Sequence, residues 1–254
     1  MKHKNTSAYA DVLAEIKEAQ SLDPNIYYRY FTRHISALIT ALLVNTRATP
    51  NIVTATMFVF GITGGIFFSI GEELYYILGG VFFLFLNIAD TVDGELARYK
   101  KISSNFGDYL DRLAHYVTNS SMILGLGIGL YSNYESMLIL YATVIVLLFY
   151  LFDDLVRDLV ISCGLGDSKN RKKEKQNMSI VGQSNIKKFV SYTAGNSGFW
   201  HLIVLVSILD LVISAFFPVI ESLVIINTYI AYFAFFSVVK ALLRIPLVMS
   251  LKDK

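Results

Sequence analysis

The chain alternates long apolar stretches with short polar segments. Six of the apolar stretches are long enough to cross a bilayer as helices, since a transmembrane helix needs roughly 20 predominantly apolar residues. They are residues 51–70, 74–97, 107–131, 137–161, 195–217 and 219–244. The pattern therefore predicts an all-α, polytopic membrane protein with six transmembrane helices.

Two amphipathic segments precede the first predicted span. Residues 8–20 place apolar side chains on one helical stripe and acids elsewhere, which predicts a short amphipathic helix. Asp23 and Pro24 are typical of an N-cap and a first helical position, and the helix they open continues to about residue 45. Because this second helix mixes aromatic and basic residues, we expect it to lie at the bilayer interface and not to cross the membrane.

Composition and charge support this topology. The chain is 54% hydrophobic, and its mean hydropathy is +0.52, too apolar for an ordinary soluble domain. None of its 22 Lys and Arg residues falls within 48–97, 113–156 or 189–239. The positive-inside rule then places the basic segments, both termini and the predicted site on the cytoplasmic side of an integral membrane protein.

The domain organisation follows from the same pattern. We predict an N-terminal region at 1–48, a six-span domain at 49–245 and a cytoplasmic tail at 246–254. The basic loop at 162–194 is typical of a solvated surface attracted to anionic membrane lipid, and we expect no nucleic-acid partner. Cys163 is the chain's single cysteine, which excludes an intrachain disulfide and a cysteine-based zinc cluster.

Ionisable residues gather where the second predicted span ends and the third begins. Asp90 and Asp93 are three residues apart, and Asp111 and His115 are four apart, so each pair shares a helix face. Carboxylates at a membrane edge are costly unless they line a wet cavity, form ion pairs or bind an ion. The two faces can converge on one cation.

The ligand types and the small residues beside them indicate the chemistry. Carboxylate oxygens favour Mg²⁺ or Mn²⁺ over zinc, and Mg²⁺ usually completes its coordination with water and substrate phosphate. Gly94 and Ala97 lack bulk at the same helix end and leave room for a ligand. The segment therefore predicts a metal-dependent site for a phosphate ester.

The same segment resembles the signature of the CDP-alcohol phosphotransferase family. That signature reads Asp-x-x-Asp-Gly-x-x-Ala-Arg and, about eight residues later, Gly-x-x-x-Asp-x-x-x-Asp. The matching positions are Asp90, Asp93, Gly94, Ala97, Arg98, Gly107 and Asp111. The resemblance implies an integral membrane enzyme of phospholipid or related head-group biosynthesis. Such an enzyme moves a substituted phosphate from a CDP-alcohol donor to an acceptor alcohol and releases CMP.

The resemblance also implies roles for individual residues. Asp90, Asp93 and Asp111 would bind Mg²⁺ or Mn²⁺. The residues implied to contact the nucleotide are Asp90, Asp93, Gly94, Ala97, Asn51 and Thr54. Four basic residues are candidates for binding the acceptor or its phosphate: Arg98, Lys100, Arg112 and Arg157. For Arg157, a helical ion pair with Asp153 is an equally good interpretation.

His115 stands where the family has its fourth acid, the base that deprotonates the acceptor hydroxyl. A neutral imidazole is a competent base near neutral pH and can also offer a nitrogen to a metal. Two other interpretations remain open. The base is Asp108 or is dispensable, or the site has lost activity and His115 only packs.

The sequence leaves several points undecided. The acceptor can be a lipid or a polar alcohol, the donor can carry a phosphonate, and a homodimer is left open. A cation-coupled transporter is one rival function, although its acids are expected near the bilayer midplane and in related halves. A catalytically silent, nucleotide-binding membrane scaffold is another.

Overall fold

The computed structural model describes residues 13–14, 32–162, 196–216 and 224–249. These residues form helices and short connections and contain no strand, which confirms the predicted all-α class. The helices are α1 (Arg33–Val44), α2 (Pro50–Ile70), α3 (Glu73–Lys100), α4 (Asn105–Tyr134), α5 (Met137–Ser162), α6 (Asn196–Phe216) and α7 (Val224–Met249).

Several of these helices suit a membrane. By length and composition, three can cross it: α2, α3 and the Met137–Val156 part of α5. Shorter apolar helices within the described residues are Arg33–Val44, which is α1, Leu202–Phe216 of α6 and Ile225–Val239 of α7. The chain is thus a helical membrane protein. The number of six spans, the interfacial helix and the division at residues 48 and 245 remain predictions.

The ends of α2 and α3 are set by local backbone chemistry. The Ile52 and Val53 N–H groups donate to the Thr49 carbonyl at 3.1 and 3.3 Å. The helix α2 therefore begins at Pro50, one residue before the first predicted span. The helix α3 contains the predicted span at 74–97 and continues to Lys100. It stops where Lys101 adopts a φ of 55° and the Ile102 N–H donates to the Ala97 carbonyl at 3.0 Å.

The helix α4 contains the predicted span at 107–131 and extends beyond it at both ends. The helix begins at Asn105 because Ser104 is its N-cap, and the Ser104 hydroxyl accepts the Gly107 N–H at 3.0 Å. The helix continues to Tyr134 and ends before Glu135, whose φ is 50°. Gly107 therefore lies inside the first turn of α4 and in sequence follows the motif residues at the end of α3.

The chain forms two compact units. The first comprises residues 1–64 and 81–121, and the second comprises residues 65–80 and 122–254. In the first unit, Gly61 lies so close to Thr118 that a Cβ at Gly61 would overlap that side chain. In the second unit, α7 packs against α5 and α6. The motif acids and His115 all belong to the first unit.

Some predictions lie outside the described residues. They concern the amphipathic helix at 8–20 apart from residues 13–14, the helix start at 23–24, the loop at 163–194 and the tail at 250–254.

Candidate active site

The ends of α3 and α4 bring Asp90, Asp111 and His115 together. The His115 Nε2 atom lies 3.2 Å from Asp90 Oδ1 and 3.5 Å from Asp111 Oδ1. Asp111 and His115 are four residues apart on α4, so one helix face presents both, and α3 supplies Asp90. One member of the first predicted pair, Asp90, therefore lies beside both members of the second pair.

This group has the properties of a cation site. One ligand atom from each of Asp90, Asp111 and His115 lies within 4.8 Å of the others. The Asp111 Oδ1 atom is buried and has no hydrogen-bond partner. The side chains are 29%, 42% and 35% exposed, respectively, so the group remains open to a ligand. A divalent cation fits this donor set, because it would satisfy the buried oxygen and offset the two acids.

Asp93 has different surroundings from the other motif acids. It is buried, and its Oδ2 accepts a hydrogen bond from the Thr54 hydroxyl of α2 at 2.7 Å. Among the described residues, the group of potential metal ligands does not include Asp93. The structure thus places Asp93 against α2, and its role in metal binding remains a prediction.

The first turn of α2 faces the motif at a second point. The Asn51 Oδ1 atom lies 3.2 Å from where a Cβ on Gly107 would be, so the lack of a side chain at Gly107 leaves room for this amide. Two residues predicted to contact nucleotide, Asn51 and Thr54, therefore lie against the two halves of the motif.

The predicted basic residues differ in their contacts. The Arg98 guanidinium lies beside Gly94, with Nη1 3.3 Å from where a Cβ on Gly94 would be. Lys100 Nζ donates to the Thr46 and Ala48 carbonyls at 2.9 and 2.8 Å and so holds the connection between α1 and α2.

The remaining predicted positions are Ala97, Arg112 and Arg157, with Asp153 as the alternative partner of Arg157. Ala97 is partly buried one turn after Asp93, and Arg112 is partly buried on α4. The Arg157 side chain lies outside the described residues. Asp153 is buried in the second unit.

Sequence reasoning missed Glu95, which lies inside the motif. This residue is buried, and its carboxylate accepts hydrogen bonds from Ser36 and Thr40 of α1. Its position in the sequence could have indicated a role apart from the metal ligands. An acid five residues after Asp90 lies about 140° around the helix from it, on a face that the motif does not use.

The described helices are those of a membrane protein. The open group of Asp90, Asp111 and His115 is its candidate cation site. The model of the CDP-alcohol phosphatidyltransferase family matches residues 47–195, more than half of the chain. The chain therefore belongs to the CDP-alcohol phosphatidyltransferase family. The resemblance drawn from the motif is confirmed at the level of the family.

Two similar proteins extend this finding. The bifunctional IPC transferase and DIPP synthase of Thermococcus kodakarensis is 34% identical over 97 residues, which are 38% of this chain and 21% of that protein. The match thus spans about a fifth of that relative. The phosphatidylinositol phosphate synthase of Mycobacterium tuberculosis, solved with CDP-DAG bound, superposes with a TM-score of 0.57 at 19% identity. The superposition covers 84% of this chain and 92% of that one and shows a shared fold.

Proposed function

We propose that the protein is a membrane transferase that moves a substituted phosphate from a CDP-alcohol to an acceptor alcohol and releases CMP. One observation carries the proposal. Within the segment matched by the family, the fold brings Asp90, Asp111 and His115 into one open group. Phospholipid or related head-group biosynthesis is the process such a reaction serves.

The proposal assigns the metal to the motif acids. Asp90, Asp93 and Asp111 would hold Mg²⁺ or Mn²⁺, and the buried, unpartnered Asp111 Oδ1 supports a cation in this group. When bound, the metal supplies positive charge that neutralises the donor's diphosphate and stabilises CMP as the leaving group. The Thr54 hydroxyl orients Asp93 through the 2.7 Å hydrogen bond between them.

His115 is the residue we assign as the base. The acceptor oxygen forms a bond to the phosphorus that carries the donor's alcohol, and the bond between that phosphorus and CMP breaks. The acceptor's proton passes to the imidazole, which lies next to Asp90 and Asp111 and is partly exposed. The short distances from Nε2 to Asp90 and Asp111 hold the imidazole at the edge of the metal group.

Residues around the acids would hold the nucleotide and the acceptor. Asn51, Gly94 and Ala97 would border the cytidine monophosphate. Of the basic residues proposed for the acceptor, Arg98 and Arg112 lie on the helices that carry the site. Lys100 already donates to two carbonyls, so its main contribution is to the α1–α2 connection.

An apolar groove lies in the same unit. It has a volume of about 400 Å³ and lies among α1, α2 and α3. Ala89 and Val92 line it and neighbour Asp90 and Asp93 in sequence, and Val53 lines it next to Thr54. The site and both termini would face the cytoplasm, and six spans would cross the membrane.

The experiment is CMP release by the purified protein in lipid nanodiscs. CDP-diacylglycerol and water-soluble CDP-alcohols are offered with glycerol phosphate, inositol phosphate, serine or lipid alcohols, with Mg²⁺ or with EDTA. We expect release from at least one pair that stops with EDTA and returns with Mg²⁺ or Mn²⁺. If CMP binds tightly but no pair releases it, the protein is a silent scaffold and the proposed activity is wrong.

A further inference from the structure

The imidazole of His115 presents one nitrogen to both open acids of the site. Its Nε2 atom lies 3.2 Å from Asp90 Oδ1 and 3.5 Å from Asp111 Oδ1. Adjacent ligands of an octahedral cation with bonds of about 2.1 Å are about 3 Å apart. The three atoms are therefore spaced nearly as ligands of a single cation are.

Two helices fix this arrangement. Asp111 and His115 are one turn apart on α4, and α3 supplies Asp90. Side chains four residues apart on one helix can bind the same metal, as the two histidines of the zinc-binding H-E-x-x-H helix do. A cation held by these three side chains would therefore join α3 to α4.

The donor set differs from the all-oxygen set that the motif implies. Among the described residues, the group of potential ligands consists of two carboxylates and one imidazole. Asp93 is not a member, and its Oδ2 accepts the Thr54 hydroxyl instead. Mg²⁺ demands oxygen ligands, whereas imidazole nitrogen suits divalent cations of the first transition row. A nitrogen in the group therefore shifts its preference away from Mg²⁺.

A hydrogen bond is the competing use of the same nitrogen. An Nε2–H group would donate to Asp90, and Nε2 would then have no lone pair for a cation. The state of Asp111 favours the cation, because its Oδ1 atom is buried and has no hydrogen-bond partner among the described residues. A cation shared with Nε2 satisfies this oxygen, whereas an N–H directed at Asp90 leaves it unpaired.

We propose that His115 Nε2 is a ligand of the metal and makes the site prefer Mn²⁺ to Mg²⁺. This role rests on the proposed function and decides between its two cations. One lone pair cannot bind a cation and accept a proton at the same time. The imidazole therefore leaves the cation before it serves as the base, and substrate phosphate takes its place as a ligand.

The first test is pulsed electron paramagnetic resonance of Mn²⁺ bound to the full chain in nanodiscs, without donor or acceptor and with histidine tags removed. We expect a coupling from a directly bound ¹⁴N nucleus, which ¹⁵N-labelled histidine should convert into a ¹⁵N coupling. Because the chain has four histidines, variants identify the ligand. His115→Asp should bind Mn²⁺ without the coupling, and His34→Ala, which removes an exposed histidine, should keep it.

The second test measures the preference between the two cations. Mg²⁺ is titrated against bound Mn²⁺, and the release of Mn²⁺ is followed by the resonance signal of the free ion. The ratio of the Kd for Mg²⁺ to the Kd for Mn²⁺ should fall roughly tenfold in His115→Asp, because an oxygen replaces the nitrogen. His34→Ala should keep the parent ratio. Thermal unfolding checks that both variants fold, and the labelled parent gives the coupling without any variant.

The role of His115 as a ligand is wrong if the parent binds no Mn²⁺, binds it without a nitrogen coupling, or keeps the coupling in His115→Asp. The preference is wrong if the ratio does not change. CMP release is measured separately. A parent that shows the coupling but releases no CMP refutes only the proposed function, and one that releases CMP without the coupling refutes only this role of His115.

Discussion

The first unit contains two carboxylate clusters whose oxygens are satisfied in different ways. Glu95 is buried against α1, and hydroxyl groups donate to both of its oxygens. Asp90 and Asp111 are partly exposed, and the buried Oδ1 of Asp111 has no hydrogen-bond partner. One cluster is hydrogen-bonded by hydroxyl groups, and the other is the one we propose to bind a cation.

The difference teaches how to separate structural acids from functional ones in a membrane protein. A buried acid with a full set of donors stabilises helix packing, since its desolvation is offset by hydrogen bonds. An open acid near a second acid is repelled by it and gains from a cation. Asp93 combines the two patterns, because it is buried and bonded to Thr54 yet belongs to the motif.

The largest effect is expected from the open cluster. Asp111→Asn should lower CMP release at least about 10³-fold, because a lost ligand removes several kcal/mol of stabilisation of the transition state. Asp93→Asn should have a similar effect if Asp93 also binds metal. CMP release and the thermal unfolding temperature are measured together. Activity close to the parent's in Asp111→Asn would show that this acid needs no cation.

His115 tests the assignment of the base. His115→Ala should lower kcat about 10²-fold or more, the usual contribution of a general base. His115→Asp should keep more activity, because it restores the family's residue. Exchange of the exposed His34 for alanine is the matched control. If His115→Ala equals the parent across pH, His115 is not the base.

Thr54→Val tests whether the hydrogen bond from Thr54 supports the function of Asp93. The substitution keeps the shape of the side chain and removes the hydroxyl that bonds to Asp93. We expect roughly a tenfold loss of kcat/KM, since a buried carboxylate loses a donor. Ser69→Ala removes a hydroxyl near the other end of α2 and should leave kcat/KM unchanged. Equal effects of the two substitutions would argue against a special role for Thr54.

The smallest effect on activity is expected for a fully structural acid. Asp210 of α6 is buried and accepts the N–H groups of Ile225 and Ile226 at 3.3 and 3.4 Å, which caps the start of α7. Asp210→Ala should lower the free energy of unfolding by about 1 kcal/mol, as for other lost caps. Activity per folded molecule should stay unchanged, and a selective loss of kcat would show that this acid is more than a cap.

The sequence predicted much of the fold and of the site for clear physical reasons. Long apolar stretches require helices in a membrane, because backbone groups there must be hydrogen-bonded internally. The predicted span at 51–70 coincides closely with α2, which runs from Pro50 to Ile70. The spacing of Asp111 and His115 indicated a shared face, because helical residues four apart lie on one side, and Asp90 lies beside them. Asp93, which was predicted to share the face of Asp90, is bonded to Thr54 instead.

Other features could not be predicted because they depend on distant segments. The bond between Ser36 and Glu95 joins residues 59 positions apart, and that between Thr54 and Asp93 joins residues 39 apart. The helices α3 and α4 extend beyond the predicted spans to caps such as Ser104 and Lys101, whose local geometry hydropathy does not report.

The sequence alone determined the class of the protein, the helical frame and the residue types of the site. These follow from local periodicity and from a motif whose members lie within one pair of helices. Only the tertiary structure decided which acids remain open to a ligand and which are bound by hydroxyl groups. That distinction depends on the helices that pack beside each carboxylate, and packing partners are set by the whole fold.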